Sequence, residues 1–188
     1  MRKFTLLLFA AFFLHAGSYA QNIFFDGGLP SYGDGPNYGL RATIFQPLDP
    51  LLDIGITARV MELNYPEGEL SAREAGTAVR DISVGLALRY FFFRNASTGD
   101  GLYVNPNVEI NSFAGDEGID LSAHLGYTKK LSDWLRINGE IGGRARAFGY
   151  ITNQSYQDRF IYTISIGLGF DMSRLFGGNG GGEPILTR

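Results

Sequence analysis

His124 is the most plausible starting point for catalysis in this sequence, because it is the sole histidine after the first twenty residues. In an extended chain Ser122 lies on the same face as His124, and Glu109 or Glu140 would complete a Glu–His–Ser relay. A serine nucleophile also needs an acyl substrate within reach. The strand face that carries Ser122 and His124 is polar, and it is predicted below to point into the interior of a β-barrel. A lone histidine is usually a hydrogen-bonded structural residue, so we predict that the chain is not an enzyme.

Cofactor and metal sites have no support in the sequence. The chain contains no cysteine and no spacing of ligand residues that is typical of a metal site. The Gly-rich residues 177–184 lack the preceding strand and following helix of a phosphate-binding loop. Residues 26–35 are predicted to form a Gly-rich turn rather than a calcium loop. A net charge of −3 also disfavours a nucleic-acid partner, so we predict no cofactor, no metal and no nucleic acid.

Arginines and carboxylates recur on the polar face of the alternating segments, in balanced numbers. A balanced set can neutralise itself in a confined interior, whereas soluble surfaces usually carry more lysine. Arg144 and Arg146 lie close to Glu140, which suits either an anion-guiding pore or an interior ion-pair network. We predict the network, because an eight-stranded barrel leaves little open width. Its candidate members are Arg41, Arg59, Arg89, Glu109, His124, Glu140, Arg144 and Arg146, and the same face carries Arg136, Asp53, Asp81, Asp120 and Asp171.

Seven segments alternate between large apolar residues and small or polar ones, which is typical of strands with two different environments. In residues 160–170 the even positions are all large and apolar, and Thr163 and Ser165 lie between them. The other six segments begin near residues 38, 52, 81, 102, 119 and 135, and a short strand at residues 22–27 makes eight. Links near residues 47–50, 94–100 and 132–134 alternate along the chain with a second set at 28–37, 64–76, 114–118 and 151–158, most of them longer. With eight strands this alternation places both termini on one side. Pro106 interrupts its segment and predicts a local bulge.

The alternation allows two barrels, one with its apolar face inward as in a soluble ligand-binding barrel, and one with that face in lipid. Roughly forty large apolar side chains would overfill an eight-stranded barrel. Most segments also reach the roughly 9–11 residues that a tilted membrane strand needs. We therefore predict that the apolar face meets lipid. Aromatic residues near the strand ends fit an interfacial girdle, namely Tyr38, Tyr90, Phe92, Tyr127, Phe160, Tyr162 and Phe170.

The ends of the chain are predicted to lie outside the barrel. Arg2 and Lys3 precede a short apolar run, and the small residues Ser18 and Ala20 follow it, which indicates a cleaved signal peptide over residues 1–20. Residues 21–172 are predicted to form the barrel. Residues 173–188 are predicted to be a flexible Gly-rich tail.

Over residues 22–172 this pattern resembles the small eight-stranded outer-membrane β-barrels of the OmpA/OmpX type in Gram-negative bacteria. The resemblance implies an all-β, antiparallel, up-and-down transmembrane barrel in the outer membrane. It also implies contact with outer-membrane lipid and lipopolysaccharide, insertion by the barrel-assembly machinery, and a monomer. Members of the group often end on a strand with a terminal aromatic, a position that Phe170 fits, although Asp171 to Arg188 follow it.

Three functions remain open at this point. The first is a structural or surface-interaction role in the outer membrane, with a charged and largely plugged interior and acidic loops that contact divalent cations bridging lipopolysaccharide. The second is a narrow, porin-like channel for small solutes or ions. The third is a soluble exported ligand-binding barrel. The resemblance adds a lipid-modifying outer-membrane enzyme as a minor alternative.

Overall fold

Eight antiparallel strands form a closed barrel in the computed structural model, which describes residues 22–31, 37–64, 78–113, 116–149 and 160–173. Each strand pairs with its neighbours in the chain, and β8 pairs with β1. No helix in these ranges is long and apolar enough to cross a membrane. The predicted signal peptide, the tail beyond Ser173 and most of the longer links lie outside them. The strands are β1 (Asn22–Ser31), β2 (Tyr38–Asp49), β3 (Leu52–Asn64), β4 (Ala78–Arg94), β5 (Gly101–Phe113), β6 (Asp116–Lys130), β7 (Leu135–Gly149) and β8 (Ile161–Asp171).

The apolar face of the strands points outward, as the period-two pattern predicts. Ile164 and Leu86 are 63% and 61% exposed, whereas Arg59 and Glu140 are 5% and 4% exposed. The soluble ligand-binding barrel is therefore wrong, because it requires the opposite orientation. A closed sheet pairs its edges, which allows strands with apolar outer faces to lie in hydrocarbon.

Short turns connect the strands at the end of the barrel that carries Asn22 and Asp171, which pair with each other. We call this the turn end and the opposite end the loop end. Polar side chains stabilise the turns. Asn95 accepts hydrogen bonds from the backbone N–H groups of Ser97 and Thr98 at 2.9 and 3.1 Å, and Asp49 accepts one from Leu51 at 2.7 Å. The start of β1 and the end of β8 therefore lie on the same side of the barrel, at the turn end, as predicted.

Two predicted connections are shorter than the sequence suggests. β1 continues to Ser31 rather than ending at Gly27, because residues 28–31 pair with β8 despite their Gly and Pro content. β6 begins at Asp116, so that most of the predicted link at 114–118 is strand. Pairing with a neighbouring strand overrides the turn preference of these residues, since backbone groups without partners are costly in a membrane.

Pro106 does not produce the predicted bulge. Ala87 pairs with Asn107 and Tyr90 pairs with Val104, so the register of β4 and β5 is the same on both sides of the proline. Pairing with β6 is continuous there, with Pro106 opposite Ala123. The missing N–H of proline thus interrupts the β4 side of the ladder without inserting a residue. The register shift between β4 and β5 lies nearer the turn end, between Phe91 and Phe93.

Candidate functional site in the barrel lumen

The outer wall has the dimensions and the aromatic ends of a membrane-spanning surface. Outward residues of β4 from Ile82 to Phe92 span a height of about 25 Å, at roughly 3.3 Å per residue and a tilt of roughly 40°. Six of the seven predicted girdle residues are exposed, and Phe170 is partly so. They lie near the two ends of the strands, with Tyr38, Phe160 and Tyr162 toward the loop end.

Trp134 reports the position of the turn end, because it is the only tryptophan in the chain. Its indole is exposed and stacks on the Phe170 ring, with centroids 6.2 Å apart and an interplanar angle of 20°. Tryptophan favours the lipid–water interface, so we expect a quencher carried near the lipid headgroups to quench Trp134 more strongly than one carried at the bilayer centre. The urea-unfolded chain mixed with the same vesicles should show no such depth preference. Stronger quenching from the centre would contradict this orientation.

Glu140 is the central acceptor in the lumen. One of its carboxylate oxygens accepts from Arg41, and the other accepts from the Tyr103 hydroxyl at 2.8 Å and the Asn105 amide at 3.2 Å. Arg41 also donates from Nε and Nη2 to Asp26, at 3.0 and 2.8 Å. These groups are nearly inaccessible to solvent, so the ion pairs offset the loss of hydration that each charge would otherwise suffer.

Two further ion-pair groups lie in the same lumen. Arg59 donates to Glu109 at 2.7 Å, and the Ser83 hydroxyl donates to the other carboxylate oxygen of Glu109 at 2.6 Å. Arg144 pairs with both Asp81 and Asp120. The partners come from different strands, so these contacts tie the barrel together across its interior.

Arg89 lies near the turn end among aromatic rings. Its guanidinium carbon is 4.2, 4.0 and 4.3 Å from the ring centroids of Phe24, Phe45 and Tyr103. The nearest carboxylate is that of Glu140, at 3.9 Å. Nε and Nη2 of Arg89 have no hydrogen-bond partner among the described residues. Cation–π attraction to three rings is therefore a principal contact of this guanidinium.

Each of these rings faces a glycine on the neighbouring strand. Phe45 pairs with Gly55, Tyr103 with Gly126, and Phe24 with Gly169. A methyl group at any of the three glycines would overlap the opposing ring. Phe91 extends the group, since its ring centroid is 5.4 Å from that of Tyr103 and Arg94 stacks on it. We call Phe24, Phe45, Phe91, Tyr103 and Arg89 the aromatic layer.

His124 does not form part of a catalytic relay among the described residues. Its Nδ1 has no hydrogen-bond partner there, and Ser122 accepts instead from the Asn107 amide at 3.1 Å. Glu109 and Glu140 are both engaged by arginines. Across the same residues, no group of three or more His, Asp or Glu side chains could hold a metal ion.

The structure brings together most of the predicted network. Arg41, Arg59, Arg89 and Arg144 each lie within 4.0 Å of a carboxylate. Arg136 instead donates to the Thr98 carbonyl at 3.0 Å. Asp171 accepts from Ser173 at the turn end, and the side chain of Arg146 lies outside the described part of β7. The network is a candidate site to which no ligand is assigned.

Sequence reasoning missed three features of the lumen. Asp26, at the end of the predicted strand 22–27, is absent from the predicted interior network, although its even position in β1 places it on the inward face. Arg94 pairs with Asp53 at 2.9 Å, a contact that requires knowledge of the register. The inward-pointing aromatic rings occupy positions that the alternation assigns to polar residues. The glycines opposite them on the neighbouring strands were the signal that could have revealed the rings.

Comparisons with known proteins show the fold. No protein-family model and no curated protein matches the chain. Neisserial surface protein A has a similar structure, with a TM-score of 0.57 and 12% identity over 81% of this chain and 96% of that one. A designed transmembrane β-barrel gives a TM-score of 0.50 and 13% identity over 80% and 93% of the two chains. With its apolar outer wall and ion-paired lumen, the chain has the fold of a small eight-stranded outer-membrane β-barrel.

Proposed function

We propose that this chain is a closed outer-membrane barrel with a structural and surface-interaction role, and that it neither conducts solutes nor catalyses a reaction. The observation that carries the proposal is the aromatic layer. Its members are at most 2% exposed and contact one another at the turn end. The interior of an eight-stranded barrel is narrow enough for large side chains to fill it, and these aromatic rings are large side chains.

Ion pairs support closure toward the loop end. Arg41, Arg59 and Arg144 extend into the lumen and are fixed by carboxylates on other strands. A conducting path would require these pairs to separate or water to pass between them. Because the charges of these ion pairs are shielded from water, they attract each other strongly and resist separation. This favours a static interior over an open channel.

Partners follow from this assignment. The apolar wall contacts the hydrocarbon of the outer membrane, and β8, with its outward row ending at Phe170, is the strand that the assembly machinery would recognise. The acidic residues of the longer links, such as Glu67 and Glu74, are proposed to contact divalent cations that bridge lipopolysaccharide. We propose that the barrel acts as a monomer.

Conductance in planar bilayers tests the closed lumen. We expect no single-channel steps from the wild-type chain, because the aromatic layer and the ion pairs both occupy the lumen. Replacing Phe24, Phe45, Arg41 and Arg59 by alanine in one chain removes two of the three rings around Arg89 and two of the three paired arginines, and is expected to produce measurable steps. The matched control replaces Leu86 and Val108, which pair on the lipid-facing wall, by alanine and should stay silent. Wild-type steps as large as those of the four-residue variant would favour the narrow pore instead.

A further inference from the structure

A small cavity lies in the lumen beside His124, away from the aromatic layer. It has a volume of about 20 Å³. Gly28 and Gly39 line it and contribute no side chain, which leaves room on the wall formed by β1 and β2. His124 and Thr163 also line it, on β6 and β8. The cavity therefore arises where small inward residues meet two polar side chains.

Two polar atoms at this cavity have no partner among the described residues. They are Nδ1 of His124 and Oγ1 of Thr163, and both atoms are buried. His124 itself is only 2% exposed. Buried polar groups in native proteins are almost always hydrogen-bonded, to protein or to ordered water. Because both residues line the same cavity, a single ligand bound there would have both side chains beside it.

We propose that this cavity is a binding site for one water molecule, held between His124 Nδ1 and Thr163 Oγ1. A water needs roughly 10–15 Å³ of space and two to four polar partners, and the cavity meets both requirements. Ser165 lines the same cavity and offers a further hydroxyl.

The chemistry of the lining favours a neutral ligand over an ion. Arg41 and Arg59 disfavour a cation, and the carboxylates paired with them (Asp26, Glu140 and Glu109) disfavour an anion. Nδ1 of a neutral imidazole accepts or donates according to its tautomer, and a hydroxyl can do either. Water can donate and accept hydrogen bonds, so it can bind both atoms whichever of them is the donor.

A crystal structure of the full chain in detergent, grown with sodium bromide, tests the site. We expect an electron-density peak at hydrogen-bond distance from both atoms, with no anomalous signal from bromide. Density without bromide signal supports water. An anomalous peak, an empty cavity, or a side chain from another part of the chain bonded to Nδ1 would each overturn the proposal.

Thr163→Val provides the second test, since it removes the hydroxyl and nearly keeps the side-chain volume. We expect the peak to disappear and the ¹⁵N resonance of His124 Nδ1 to shift in the folded variant. The matched control is Thr43→Val, which removes an interior hydroxyl bonded to Thr57 at 3.1 Å and outside the cavity. A peak that persists in Thr163→Val, or a His124 shift of equal size in both variants, would show that Thr163 does not hold the water.

Discussion

Replacing Glu140 by alanine is expected to lower the free energy of unfolding by about 3–5 kcal/mol, the range found when one partner of a buried ion pair is removed. Glu140 accepts hydrogen bonds from Arg41, Tyr103 and Asn105 and is the carboxylate nearest to Arg89. Alanine would leave Tyr103 and Asn105 without this acceptor and Arg89 without a counter-charge. The measurement is urea unfolding in lipid vesicles, with Trp134 fluorescence and heat-modifiable gel migration as independent readouts.

Two variants separate the buried charge from general effects of substitution. Glu140→Gln keeps a carbonyl acceptor for Tyr103 and Asn105 but not the charge, so its stability should lie between those of the wild type and Glu140→Ala. Asp133→Ala breaks the exposed pair with Lys130, in which the Asp133 side chain is 80% exposed. Its effect should be within about 0.5 kcal/mol of zero, because exposed pairs contribute little. If Asp133→Ala and Glu140→Ala unfold at the same urea concentration, the interior network is not what stabilises the barrel.

The orientation of the barrel wall was readable from the sequence because side chains alternate strictly along a strand. Ile164 belongs to the row of large apolar residues in its strand, whereas Arg59 belongs to the alternate, polar row in its own. Their opposite environments therefore follow without knowledge of strand pairing. The outward face and the inward charges follow directly. The same reasoning gives seven strands, since each alternating segment is one membrane crossing, and the order of the links requires the eighth at residues 22–27.

Contacts across the lumen were not readable in this way. Arg41 and Glu140 are 99 positions apart, and Asn138 and Asp26 are 112 apart. Which inward residues meet depends on the stagger of all eight strands, and a change of register would give each arginine a different neighbour. Parity therefore predicts that Arg41 points inward, but only the closed sheet shows that it lies between Asp26 and Glu140.

Glycines made the aromatic layer hard to recognise. At the inward positions of a strand a glycine contributes no side chain, so the sequence alone gives no sign that a ring from the next strand lies against it. The register shows that Gly126 instead accommodates the Tyr103 ring, which pairs directly with it. Small and large inward residues alternate between neighbouring strands, as in other filled small barrels.

Replacing Gly126 by alanine is expected to destabilise the barrel by about 1–3 kcal/mol, the usual range for overpacking a filled interior. The added methyl group would lie 2.5–2.6 Å from the Tyr103 ring and hydroxyl. Tyr103 cannot withdraw freely, because its ring contacts Arg89 and Phe91 and its hydroxyl is bonded to Glu140. Urea unfolding in the same vesicles measures the change.

Gly139→Ala is the matched control, since this glycine lies on the outward face of the next strand and pairs with Tyr127. A methyl group there would meet only a backbone oxygen at 3.9 Å. We expect it to be neutral or slightly stabilising, because alanine restricts the unfolded chain more than glycine does. Tyr103→Leu should recover part of the stability lost in Gly126→Ala by removing the clash. Equal effects of the two glycine substitutions, or no recovery in the double variant, would mean that the close contact between ring and glycine does not determine the packing of the lumen.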